Sequence, residues 1–97
     1  MSSVKVINVW QCTPDTEETF EQELKRLVDT SVTEDGCISY EIYQPKDQPN
    51  EYVMIEEWQN EDALDQHQNS SHYRHFVRIA PVLQNKPAEI KQLVRLV

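Results

Sequence analysis

The sequence predicts an α+β domain whose elements follow the order strand, helix, strand, strand, helix, strand. Three observations carry this reading. Apolar side chains alternate with period two in residues 3–12, 38–43 and 52–58, the spacing of strands that bury one face. Between the first two stretches, apolar residues recur every three to four positions over residues 20–32, the spacing of an amphipathic helix. A length of 97 residues allows a single domain, 1–97, and no second.

In the first stretch Val4, Val6, Asn8, Trp10 and Cys12 alternate with Lys5, Ile7, Val9 and Gln11. Most positions on both faces are apolar, so this strand is expected to be central. Thr13-Pro14-Asp15-Thr16 then carries helix-start chemistry, with Pro14 suited to a first turn and Asp15 with Glu18 forming a capping box. Phe20, Leu24, Leu27, Val28, Ser31 and Val32 make one face of a helix of about five turns, and Glu17, Glu21, Glu23, Lys25, Arg26 and Asp29 make the other. Gly36, the only glycine, is expected to close that helix as a left-handed C-cap.

Ile38, Tyr40 and Ile42 alternate as a second strand, and the polar stretch 44–50 joins it as a hairpin to a third strand over residues 52–58. Asn60 is placed to cap a short helix through Ala63, Leu64 and His67. Ser70 is placed to cap another through Tyr73, Phe76, Val77 and Ala80, which should end near Pro81. After the turn-like Asn85-Lys86-Pro87, the residues Ile90, Leu93, Val94, Leu96 and Val97 suggest a last strand. This order is the split β-α-β pattern of ferredoxin-like domains, an antiparallel sheet with helices on one face. Apolar residues on the other face would then need a second sheet, so a homodimer is expected.

Composition narrows the function. Lysine and arginine total 9 against 17 aspartates and glutamates, a net charge of −8, which disfavours nucleic acid and an anionic membrane surface as partners. Apolar runs fall far short of the roughly 20 residues that cross a bilayer, and Met-Ser-Ser-Val-Lys has no secretory character, so a cytoplasmic location is expected. Cys12 and Cys37 lack a C-x-x-C spacing and read as reduced packing residues. One glycine in the whole chain cannot build a dinucleotide fingerprint or a phosphate loop, and neither a G-x-S-x-G nor an H-E-x-x-H motif occurs.

What remains is a concentration of imidazoles and aromatics at Tyr52, Trp58, His67, His72, Tyr73, His75 and Phe76. His67 follows Ala63 by four positions and Leu64 by three, which turns it inward, either as a base or as a core histidine hydrogen-bonded to the backbone. His72 lies at a helix start, where it could serve the cap, and His75 falls off the inward stripe of Tyr73 and Phe76. A metal site made of the three histidines is disfavoured, because the break near Asn69 and Ser70 separates His67 from any face shared with the others. Trp58 can wall a pocket for a flat ligand or fill the core. Asn8 is the one polar residue on the Val4, Val6, Trp10 face, so its amide needs a partner, either a ligand oxygen or a neighbouring group.

Residues 56–73, with the pattern E-x-W (Glu56, Trp58), A-L-x-x-H (Ala63, Leu64, His67) and S-x-H-aromatic (Ser70, His72, Tyr73), follow an upstream G-C-x-x-Y-E at residues 36–41. This constellation resembles the antibiotic biosynthesis monooxygenase domain family of dimeric α+β barrels, and within it the quinol monooxygenases. The resemblance implies a pocket between sheet and helices and two subunits packed sheet on sheet. It also implies a cofactor-independent reaction of dioxygen with a small aromatic polyphenol or quinol, with no bound metal. On that reading His67 is the base or phenolate partner, Asn8 a donor to a substrate or peroxide oxygen, Trp58 and Phe76 stacking walls, and His72 and Tyr73 binding or structural residues. The heme-degrading branch fits poorly, since its axial ligand would fall on Val77. The isomerase branch shares the positions of His67 and His72, so proton transfer on a small hydroxy-ketone is an alternative, as is a non-catalytic dimeric binding module.

Overall fold

In a computed structural model, which describes residues 3–97, the chain forms β1 (Val4–Gln11), α1 (Glu17–Ser31), β2 (Cys37–Tyr43), β3 (Glu51–Trp58), α2 (Glu61–Gln68), α3 (Ser71–Leu83) and β4 (Glu89–Leu93). The sheet order is β2-β3-β1-β4 and every neighbouring pair is antiparallel, so β1 and β3 are central, as the two-sided apolar pattern of β1 requires. Register along β1 and β3 sets Asn8 opposite Met54, Val6 opposite Glu56 and Trp10 opposite Tyr52. Period-two alternation therefore sends Val4, Val6, Asn8 and Trp10 to the same face as Tyr52, Met54, Glu56 and Trp58, and all eight are buried. Phe20, Leu24 and Leu27 of α1, Ala63 and Leu64 of α2, and Phe76 and Ala80 of α3 complete that core. The opposite face, with Ile7, Val9, Val53 and Ile55, is only half covered.

Local departures from the sequence expectation have identifiable causes. Asp15 does not cap α1: it sits at φ 75° in the left-handed region, which aspartate tolerates in turns. The N-cap is Thr16, whose hydroxyl donates to Thr13 O at 2.6 Å and makes no cap bond to the helix. Gly36 does not end α1 either. The helix stops at Ser31 with Val32 as C-cap, and Gly36 lies beyond it at φ 88°, immediately before β2. Its role is close approach: a β-carbon at this position would lie 2.6 Å from Ala63 Cβ. The turn over residues 32–36 is thereby seated on the Ala63 face of α2.

Both predicted caps of the later helices form, with Asn60 accepting from Ala63 N at 2.9 Å and Ser70 from Tyr73 N at 3.2 Å. Pro81 is inside α3 and does not stop it. The last turn survives the missing N–H because Gln84 N donates to Ala80 O and Thr13 N reaches across to Leu83 O at 2.7 Å. The final strand is shorter than the apolar residues suggest: β4 ends at Leu93, and Val94, Leu96 and Val97 lie exposed beyond it.

Candidate active site

Four side chains from four separate segments meet between the sheet and α2–α3. Glu56 comes from β3, His67 from α2, His72 from the first turn of α3, and Glu34 from the turn between α1 and β2. Ala63 and His67 are four residues apart on one face of α2, and Gly36 brings the turn onto that face, so Glu34 is delivered to His67. His67 is completely buried, and its Nδ1 lies 2.6 Å from Glu34 Oε2. A carboxylate accepts only, so Nδ1 carries a proton, and in the neutral ring Nε2 then keeps its lone pair. That Nε2 turns inward, 3.4 Å from the Tyr40 hydroxyl and 3.9 Å from Glu56 Oε1. His72 Nε2 lies 2.8 Å from the same oxygen of Glu34 and 3.2 Å from Ser70 Oγ.

Aromatic rings box the imidazole of His67. Trp58 lies 4.5 Å away between centroids at an interplanar angle of 33°, Tyr73 at 4.9 Å and Tyr40 at 5.4 Å. Glu56, 3% exposed, is held by N–H donors on both oxygens: Trp58 Nε1 to Oε1 at 2.9 Å and Asn8 Nδ2 to Oε2 at 3.0 Å. Burial raises its carboxyl above the ordinary carboxylate range, against the opposing pull of Trp58, His67, Asn8 and Tyr40. Burial also raises the Tyr40 phenol far above the usual tyrosine range, with Glu56 adding to the effect, so Tyr40 stays protonated and donates to Nε2. Tyr73 is raised for the same two reasons.

The residues singled out in the sequence thus divide into groups. Trp58, His67, His72 and Tyr73 come together. Asn8 reaches the cluster only through Glu56, because its amide donates to that carboxylate and, at 3.5 Å, to Met54 O; the neighbouring-group alternative is the one realised. Phe76 packs in the core against Trp10 at 5.2 Å and Phe20 at 6.1 Å, and its other contact is with a groove of about 340 Å³ between α1 and α3 that His72 also lines. His75 stands half-exposed beside Glu23 at 3.6 Å. The helix break does not part His67 from His72, whose centroids are 5.8 Å apart; the two-residue joint turns α3 so that its first turn faces the end of α2.

His67 lines none of the four main clefts among the described residues. The largest, about 540 Å³, runs between α1 and β2–β3 past Leu24, Val28, Ile42 and Tyr52. Tyr40 lines this cleft and also bonds His67, so it forms the partition between them. Glu34, Tyr40 and Glu56 are the members to which sequence reasoning gave no role, although Tyr40 and Glu56 stand in the family pattern. Glu56 had a signal, as the one carboxylate on the inward alternation Tyr52, Met54, Glu56, Trp58; Glu34, in a polar turn, had none.

An antiparallel sheet with helices on one face and a buried histidine–carboxylate cluster between the layers defines a class, the small α+β domain with an internal polar site. The chain belongs to the antibiotic biosynthesis monooxygenase family, whose pattern it matches over residues 3–79. It is 38% identical over 78 residues to the protein sll1783 of Synechocystis, of which it spans 53%, about half the length of that relative. It is 30% identical over 95 residues to the Mycobacterium tuberculosis protein named "Putative monooxygenase Rv0793", covering 98% of this chain and 93% of the other. The solved structure of Rv0793 superimposes with a TM-score of 0.93 over 99% of this chain and 97% of that one. PA3566 of Pseudomonas aeruginosa, 33% identical, superimposes with a TM-score of 0.92 over 100% and 97%.

No helix among the described residues is long and apolar enough to cross a membrane.

Proposed function

We propose that this chain is a cofactor-independent monooxygenase that uses dioxygen to oxidise a small aromatic polyphenol or quinol. The observation that carries the reading is the Glu34–His67 pair: a carboxylate 2.6 Å from Nδ1 fixes the tautomer and leaves the Nε2 lone pair facing the Tyr40 hydroxyl inside an aromatic box. The substrate occupies the cleft of about 540 Å³, a volume suited to one or two fused rings, and Tyr40 connects it to Nε2. The phenolic proton passes by way of the Tyr40 hydroxyl to His67 Nε2, and the phenolate formed is electron-rich enough to reduce dioxygen directly. One oxygen atom bonds to a ring carbon that bears hydrogen; the O–O bond then breaks and the outer oxygen leaves as water, taking the proton returned from His67 and the one lost from that carbon, so a phenol and dioxygen give a quinone and water. Trp58 and Tyr73 fix the imidazole plane, Asn8 holds Glu56 in place, and His72 and Phe76 line the separate groove between α1 and α3 rather than the substrate cleft. A donor role for Asn8 toward a peroxide oxygen requires it to exchange its bond to Glu56.

The half-covered sheet face supports a homodimer packed sheet on sheet, centred on Ile7, Val9, Val53 and Ile55. Free Cys12 and Cys37 accord with a reducing, cytoplasmic setting. The test is dioxygen uptake by protein stripped of metal and flavin, assayed with a panel of quinols. Uptake that disappears in His67→Ala is the expected result; no uptake with any quinol overturns the reading. Proton exchange into a small hydroxy-ketone without oxygen uptake would instead assign the isomerase chemistry.

A further inference from the structure

We propose that Glu34, His67 and His72 form a binding site for one divalent transition-metal ion, and that occupancy of this site turns the base off. The second half of the statement rests on the reading of His67 as base; the first half does not. Three ligands, a carboxylate and two imidazoles, converge from three different segments with their donor atoms all within 4.8 Å of one another. Two imidazoles with one carboxylate suit zinc, cobalt or nickel and leave positions for water, whereas magnesium and calcium prefer oxygen donors.

The two hydrogen bonds at 2.6 and 2.8 Å place protons where an ion would sit. Metal–ligand bonds of about 2.0–2.1 Å require the nitrogens to stand roughly 2.9–3.4 Å from the carboxylate oxygen, so the cluster must open by a few tenths of an ångström. Glu34 can supply that movement, because it sits on a turn and is part-exposed. An ion reaches the site from the side of His72, which is also part-exposed and lines the groove between α1 and α3.

Binding has a chemical consequence at His67. A neutral imidazole ligates through a lone pair, so Nδ1 must give up its proton, and Nε2 takes one in its place. Nε2–H then faces Glu56 Oε1, 3.9 Å away, and the Tyr40 oxygen, both able to accept. No net charge is added to the ring, yet the inward lone pair that served as base is gone. The ion and the catalytic tautomer therefore exclude each other.

Titration with Co²⁺ tests the site. One Co²⁺ per chain with a visible d–d spectrum, displaced by Zn²⁺ and not by Mg²⁺, is expected. Affinity should fall about tenfold or more in His72→Ala and in Glu34→Gln, since even loss of a residue that only supports a ligand costs that much. His75→Ala, which removes the imidazole beside Glu23, should bind as wild type, and circular dichroism checks that all variants fold. In nitrogen-15 spectra of the histidine rings, Zn²⁺ should move the His67 proton from Nδ1 to Nε2. Absence of a Co²⁺ spectrum, affinity indifferent to His72→Ala and Glu34→Gln, or an unmoved proton would overturn the proposal. Zn²⁺ should also abolish dioxygen uptake; undiminished uptake in the zinc-bound protein overturns the switch alone. If no quinol supports uptake, the monooxygenase reading falls while the Co²⁺ and nitrogen-15 results still decide the site.

Discussion

Glu56 is the residue on which the polar centre turns, because both its oxygens receive N–H donors, one from Trp58 and one from Asn8. Glu56→Gln keeps the shape but must point its own NH2 at one of those donors, which leaves buried groups unpaired. The variant should lose about 1–3 kcal/mol of stability, measured by urea unfolding. Burial raises the Glu56 carboxyl above its ordinary 4.5, so the folded protein binds this proton more tightly than the unfolded chain. The contribution of Glu56 to stability is therefore fully present below pH 4.5 and is lost as the pH rises through the raised folded value. Over that window the decline in stability should be shallower in Glu56→Gln than in wild type; an unchanged slope would remove Glu56 as its source. At this scale the sequence indicated that Asn8 needed a partner and that His67 pointed inward, since both follow from strand and helix periodicity. It could not pair Asn8 with Glu56, 48 positions away, because that depends on the register of β1 against β3.

At the scale of elements, caps and turns decide where the site residues stand. Asn60 and Ser70 were legible as caps, since a cap bond spans three residues and reads directly from the sequence. Asn60→Ala should cost about 1 kcal/mol, detectable as a lowered melting temperature. Gly36 was legible as a residue at positive φ but not in its purpose, because the contact with Ala63 belongs to two elements far apart in the chain. Gly36→Ala adds both backbone strain and a collision with Ala63, and should destabilise by about 2 kcal/mol or more. Because the same turn carries Glu34, this variant should also disturb the His67 ring-nitrogen resonances, whereas Asn60→Ala, which weakens the cap of α2 away from Glu34, should leave them in place. Equal spectra for the two variants would separate Gly36 from the site. The start of α1 misled, because Asp15 and Thr16 both carry capping chemistry and only the path of the chain out of β1 determines that Asp15 turns left-handed.

For the whole molecule, the decisive feature is a sheet with one face under helices and the other bearing Ile7 opposite Ile55 and Val9 opposite Val53. A pair of such faces would cover one another as stacked sheets do, about 10 Å apart. Wild-type protein should sediment as a dimer, and Ile55→Lys, which sets a charge in the centre of that face, should shift it to monomer. A monomeric wild type at micromolar concentration would remove the interface. The central place of β1 and the antiparallel pairing were legible because few topologies join these elements by short connections. The cleft past Tyr40 was not, because its walls come from α1, β2 and β3 together.

Taken by itself, the chain determined its elements, its two later caps, the inward turn of His67 and the alternation of its first three strands, and its resemblance to a monooxygenase family. All of these rest on spacing over a few residues, where local geometry dictates the outcome. Only the tertiary structure decided that Glu34 meets His67 and His72, that Glu56 is gripped by Asn8 and Trp58, and that Tyr40 stands between the imidazole and the open cleft. The physical reason is that a hydrogen bond works over about 3 Å, and nothing in the sequence fixes which distant polar groups reach that separation until the turn at Gly36 has docked on α2 and the strands have taken their register.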